Sequence, residues 1–226
     1  MKSLRLPALT LCAAFAFGAS GGATDSTRAP NAPGASETET LNQSAVRYRL
    51  DASQSKFIAR AFAGGPLWFK GHDHFVAARD FSGEAQLTAG ASGGASLSMT
   101  VRAESLVETR DVFTEQQKQI INKELREIVL ESAKYPEITF KSTEITGNLS
   151  GGQFDAKVGG DLTLHGVTRH ITIPARVSLS GDTLRAQGEF TINRDDFRIK
   201  ATSAFHGLVR VRDRIKFTFD IVARRI

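Results

Sequence analysis

Run after run along this chain, apolar and polar side chains alternate one by one, and that periodicity leaves few folds open. Leu97, Met99, Val101 and Ala103 interleave with Ser96, Ser98, Thr100 and Arg102. Phe154, Ala156, Val158, Gly160, Leu162 and Leu164 oppose Asp155, Lys157, Asp161, Thr163 and His165. The same pattern carries Ile171, Ile173, Ala175, Val177 and Leu179, then Leu184, Ala186, Gly188, Phe190 and Ile192, and finally Ile215, Phe217, Phe219 and Ile221. A period of two places successive side chains on opposite faces of an extended strand. Gly- and Ser-rich turn signals at 90–94, 147–152 and 181–182 separate these runs. With strand-like stretches at 47–51, 56–62, 72–78, 81–88 and 137–145, the pattern predicts eight or more antiparallel strands.

So many strands with one greasy face must stack or close, and closure also removes the exposed edges. The expected fold is all-β with one helix: an eight-stranded antiparallel barrel flanked or capped by that helix. A barrel of this size is just wide enough for side chains to fill it or for one ligand to occupy it. Ala103, Ala156, Gly160, Ala175, Ala186 and Gly188 fall on the inward face, and such small residues favour a cavity. Large neighbours filling the space, or small residues serving tight corners, is the competing outcome. The expected lining is Met99, Val101, Ala156, Leu162, Leu164, Ile173, Ala175, Phe190, Phe217 and Phe219.

One segment breaks the β pattern. Residues 114–132 carry Ile121, Leu125, Ile128 and Val129 at helical spacing, and Thr114 with Gln117 can form a capping box. A helix of about nineteen residues, about 28 Å long, could cover the barrel mouth as a lid or plug its core.

The first residues read as an address. Lys2 and Arg5 precede an apolar run at 6–17, and small residues follow to position 23. Twelve apolar residues span about 18 Å, too short for a hydrocarbon core of about 30 Å. Residues 1–23 are therefore expected to be a secretory signal peptide, which makes the mature protein periplasmic or extracellular. Cys12, preceded by Leu11, faintly resembles a lipidation site but sits inside the apolar run. Residues 24–45 are rich in Ser, Thr, Pro, Gly and Ala and read as a flexible linker, leaving 46–226 as the domain.

Composition narrows the chemistry. The formal charge is +5, and loss of Lys2 and Arg5 leaves 27 − 24 = +3, too little for a nucleic-acid binder though compatible with an anionic lipid surface. One cysteine excludes an intrachain disulfide and a CxxC zinc site. His72 and His74 would share a strand face, a spacing used by zinc pairs, with His165 and His206 as the available further imidazoles. They could equally grip a ligand headgroup, or simply meet solvent. Arg194, beside Asp195 and Asp196, fits a structural ion pair or a phosphate contact at the barrel mouth. GxSxG patterns at 90–94 and 18–22 lack the strand-turn-helix context of a nucleophile elbow. Sequons at 42–44 and 148–150 matter only if the source glycosylates exported proteins.

Several blocks resemble the YceI-like proteins. KYPEITF at 134–140 is similar to their YPxITF stretch, GDLTLHGVTR at 160–169 to their GxLTLxGVT(K/R) strand and turn, and RDDF at 194–197 to their RxDF(G) element. YRLD at 48–51 and VRDRIKF at 211–217 match their opening and closing strands. The likeness spans about 46–226. It departs from the pattern at Gln54, where a His is usual, at Arg198, where a Gly is usual, and in the WFKGHDHF segment at 68–75. The resemblance implies an exported, lipocalin-like barrel that holds a long-chain isoprenoid or similar amphiphile without catalysis or cofactor. The expected function is a carrier or sequestering protein; the alternative is an exported metal- or haem-binding protein using His72 and His74. The expected partner is an isoprenoid or other lipid-like molecule, with membrane-surface contact and a homodimer left open and nucleic acid excluded.

Overall fold

Eleven strands and one helix make up the computed structural model, which describes residues 45–88, 94–147, 152–200, 202–204, 206 and 208–226. Residues 1–23, expected to be a signal peptide, most of the expected linker, both sequons and most of the 90–94 turn lie outside these residues.

The strands are β1 (Val46–Gly64), β2 (His74–Ala78), β3 (Phe81–Leu87), β4 (Ser96–Arg102), β5 (Leu106–Glu108), β6 (Glu137–Gly147), β7 (Gln153–Leu164), β8 (Val167–Ser180), β9 (Thr183–Asn193), β10 (Ser203–Ala204) and β11 (Val209–Arg225). Eight of them follow one another around a closed antiparallel barrel, β1-β3-β4-β6-β7-β8-β9-β11, and β11 returns to β1. β2 and β5 are continuations of β3 and β4 past a paired break. Arg102 N–H bonds the Asp80 carbonyl at 3.0 Å, and Arg79 N–H bonds that of Ser105 at 3.3 Å, so the two strands bend together. β2 pairs with the second half of β1, and β5 with β2.

The stretches 47–51 and 56–62, read as two strands, are one. Between them β1 bulges, because its pairing with β11 shifts between Asp51 and Lys56. Polar side chains satisfy the displaced backbone: Ser53 N–H and Oγ both donate to Asp51 Oδ1, and Val222 N–H donates to Ser55 Oγ at 2.9 Å.

Two ends result. At the turn end lie the start of β7 and the ends of β6 and β8; the other carries the helix. Helix α1 (Glu115–Glu124) starts at Thr114 with the expected reciprocal cap. Gln117 N–H donates to Thr114 Oγ1, and Thr114 N–H to Gln117 Oε1. The helix is shorter than expected, and at Leu125–Val129 it continues as a π turn. That wider turn rotates the face: Leu125 and Val129 point to the barrel, Leu130 is buried, and Ile128 is exposed rather than part of the apolar stripe.

Two core clusters pack the ends. Tyr48, Leu50, Phe81, Phe154 and Ala223 fill the turn end, and Leu130, Phe140, Leu164, Phe197 and Ile199 fill the helix end. Between them Phe190 stacks on Phe217 at 4.8 Å, with Phe57 5.8 Å from Phe217. Such aromatic pairs add about 0.5–1.5 kcal/mol each beyond area burial.

Candidate functional site: an apolar cavity along the barrel

The inward side chains do not fill the barrel. They enclose a cavity of about 290 Å³ that runs between the two core clusters. Met99, Val101, Ala156, Leu162, Leu164, Ile173, Ala175, Phe190, Phe217 and Phe219 all line it. So do Phe57, Ala59, Leu125, Val129 and Ala186, of which the helix residues had no β periodicity to mark them as inward.

The small residues divide by role. Ala156, Ala175 and Ala186 line the cavity, and Ala156 stands directly opposite Ala175 across β7 and β8. Gly160 and Gly188 do not create space. A Cβ on Gly160 would lie 2.6 Å from the Phe140 ring, and one on Gly188 2.7 Å from Phe219, so each glycine receives a phenylalanine. Ala103 is buried in the bend between β4 and β5, away from the lining.

The polar lining groups are few. Ser96 sits towards the turn end, whereas Thr139, Arg194, Lys200 and Thr202 belong to the helix end. Arg194 is held by its terminal nitrogens: Nη1 donates to the Ile199 carbonyl at 2.6 Å and meets Asp195 at 2.8 Å, and Nη2 pairs with Asp213. The ion pair expected at this corner is therefore formed.

His72 and His74 do share one side of the chain, but neither lines the cavity. His74 stands opposite Ala61 at the rim of β2. Both imidazoles pack on Phe113, at 5.6 and 5.3 Å between ring centres, so a phenyl ring occupies the space a shared ion or headgroup would need. Asp73 faces the other way, taking hydrogen bonds from Arg60 and from Ala63 N–H. Among the described residues no group of three or more His, Cys, Asp or Glu side chains is placed to hold a metal.

His74 instead serves Glu108, a residue without a sequence signal. The Glu108 side chain is 0% exposed. Its carboxylate meets His74 Nδ1 at 2.8 Å and accepts N–H bonds from Phe75, Thr109 and Arg110. Burial pushes its pKa up, but His74 and the Arg110 and Phe75 N–H groups outweigh burial and hold it below its ordinary value. Glu108 N–H in turn donates to Asn122 Oδ1 at 2.7 Å, pinning α1 to the wall.

A second anchor joins three of the sequence blocks. His165 and Gly166 have φ of 52° and 71° and form the two-residue turn between β7 and β8, a geometry that favours glycine second. Gly166 has a further reason: a Cβ there would lie 2.5 Å from the Tyr135 ring. His165 Nε2 meets Glu131 at 2.6 Å, Nδ1 lies 3.3 Å from the Phe197 carbonyl, and the ring packs 4.5 Å from Tyr135. The 134–140, 160–169 and 194–197 blocks thus converge beneath the exit of the helix.

Known proteins share this architecture. A crystal structure of Burkholderia cenocepacia BcnA superposes with a TM-score of 0.59 at 22% identity, covering 76% of this chain and 98% of BcnA. A structure described as a polyisoprenoid binding domain from Saccharophagus degradans gives 0.58 at 17% identity, covering 79% and 98%. In sequence, a UPF0312 protein of Pseudomonas savastanoi pv. phaseolicola is 41% identical over 103 residues, 42% of this chain and 50% of that protein. Protein YceI of Escherichia coli O157:H7 is 40% identical over 77 residues, 31% and 38% of the two chains. The chain thus spans about half the length of the first of these relatives and less of the second. The YceI-like domain model matches residues 48–223, nearly the whole barrel, and the chain belongs to the YceI-like family.

Proposed function

We propose that this protein is exported and holds a long-chain isoprenoid or similar amphiphile in its barrel, carrying or sequestering it outside the cytoplasm. The observation that carries this reading is the continuous cavity, walled by aliphatic and aromatic side chains from opposite sides of the barrel. Each methylene moved from water into such a space contributes about 0.8 kcal/mol, so about ten buried carbons outweigh the association cost at its lower estimates. The Saccharophagus neighbour, described as polyisoprenoid-binding, supports the ligand class. No catalytic constellation enters the reading. Native mass spectrometry of freshly purified protein, followed by solvent extraction, tests it: a bound species with isoprenoid or acyl mass spacing is expected. A protein that emerges empty and takes up no prenyl or acyl chain overturns it.

Delivery would take place on an anionic lipid surface. Trp68 and Phe69, 56% and 62% exposed, sit on the β1–β2 connection, and Leu67 N–H bonds the carbonyl of exposed Leu208 at 2.9 Å. Exposed Val112 and Ile120 belong to the segment that carries the helix, at the same barrel end. Exposed Lys70, Lys123, Arg210 and Arg212 supply the charge that suits anionic headgroups, about 1 kcal/mol each near such a surface. The protein should cosediment with phosphatidylglycerol vesicles and not with phosphatidylcholine ones, and W68S/F69S should abolish this. If sedimentation velocity instead shows that the double variant dissolves a homodimer, the patch is a contact between copies.

A further inference from the structure

Arg194 has a donor left over. Its Nη1 and Nη2 are engaged by Ile199, Asp195 and Asp213, yet its Nε is buried and has no hydrogen-bond partner among the described residues. The side chain is only 14% exposed and lines the cavity. A buried, unmatched N–H on a cation is costly unless something else accepts its proton. The polar end of a guest entering this largely apolar tube can supply that acceptor.

The charges already around the fork say which polar end. A phosphate takes two parallel N–H bonds from one edge of a guanidinium, and both edges that offer two nitrogens on separate arms include Nη2. Asp213 already holds one N–H of Nη2, and Asp195 brings a second carboxylate to Nη1, so an anion would enter beside two negative groups that already match the guanidinium charge. Lys200 lines the same end but is exposed. Resting on the isoprenoid reading above, we propose that the ligand end at Arg194 is a single uncharged oxygen, a hydroxyl or carbonyl that accepts from Nε, and not a phosphate. Arg194 then has two jobs: its terminal nitrogens hold the 194–199 turn to β11, and its inner nitrogen sets the specificity of the cavity.

The test compares three guests that share one chain. Farnesol, farnesyl phosphate and farnesene compete against a fluorescent apolar probe on the delipidated full-length mature protein. Farnesol should bind about tenfold tighter than farnesene, the worth of one hydrogen bond to a charged donor at the lower end of its range. Farnesyl phosphate should bind no tighter than farnesol. R194K, which keeps the charge and removes Nε, should bring the ratio of farnesol to farnesene affinity down to about one. D213N, which frees Nη2, should improve farnesyl phosphate relative to farnesol. Farnesyl phosphate as the tightest wild-type guest, or farnesene matching farnesol, overturns the assignment while leaving the lipid reading intact. Failure of all three to compete overturns both. Because the guest series is read on unmodified protein, an unfolded variant leaves the comparison standing.

Discussion

Arg198 has φ of 56°, in the left-handed region where a Cβ is penalised, and it caps the 194–197 turn there. Its N–H bonds the Asp195 carbonyl at 3.0 Å, so the turn geometry is imposed from inside the loop. Glycine, usual here in the resembling family, removes the penalty: R198G should stabilise the protein by about 1 kcal/mol in urea unfolding, since the gain from relieving φ outweighs glycine's extra chain entropy. Glu108 makes the opposite case. Its folded pKa lies below its ordinary 4.5, so the carboxylate's contribution is fully present above about pH 4.5 and is lost as pH falls through the folded value. E108Q should cost about 1–3 kcal/mol at pH 7, and the gap between variant and wild type should close in acid. A constant gap from pH 7 to pH 3 would show that the charge is irrelevant.

Among the elements, the helix is the piece whose attachment matters most to a guest. It meets the barrel through apolar contacts of Leu125 and Val129, through Glu108 N–H donating to Asn122 within α1, and through Glu131, just past the π turn, meeting His165. N122A should leave the barrel strands protected while amides of 115–130 exchange about tenfold faster, because it unties one anchor without touching the sheet. Uniform acceleration of strand and helix amides would mean the helix opens only with global unfolding. The long barrel strands were legible in advance because alternation survives in them, whereas β5 and β10, three and two residues long, carry none. The π turn was not legible either. A stripe read at 3.6 residues per turn assigns Ile128 to the core, and only the wider turn passes that role to Leu130. Glu108 was hidden for a similar reason, since an acid at the end of a three-residue strand looks like any polar boundary residue.

For the molecule as a whole, the hollow interior depends on a few alanines rather than on every small residue. Alternation marks the ten lining positions as inward, yet size alone could not tell Gly160 and Gly188, which receive rings, from Ala156 and Ala175, which leave space. Facing partners across strands decide that, and strand register is not written locally. A175F should therefore fill the cavity, weaken apolar-chain binding more than tenfold and leave the thermal midpoint unchanged or raised, as filling a void normally does. A variant that still bound its guest at wild-type strength would place the ligand elsewhere.

The pairing of β1 with β11 closes the ring between strands far apart in the chain, from Tyr48 opposite Arg225 to Gly64 opposite Arg210. Synthesis therefore delivers every other stave before the last one, and until β11 arrives the partly built sheet shows two raw edges and a bare greasy floor. Such long-range closure is slow, and its precursor is prone to clump. A ribosome stalled before residue 209 would release a species that chaperones must shelter, so keeping the nascent chain unfolded until β11 has been made is built into the topology itself.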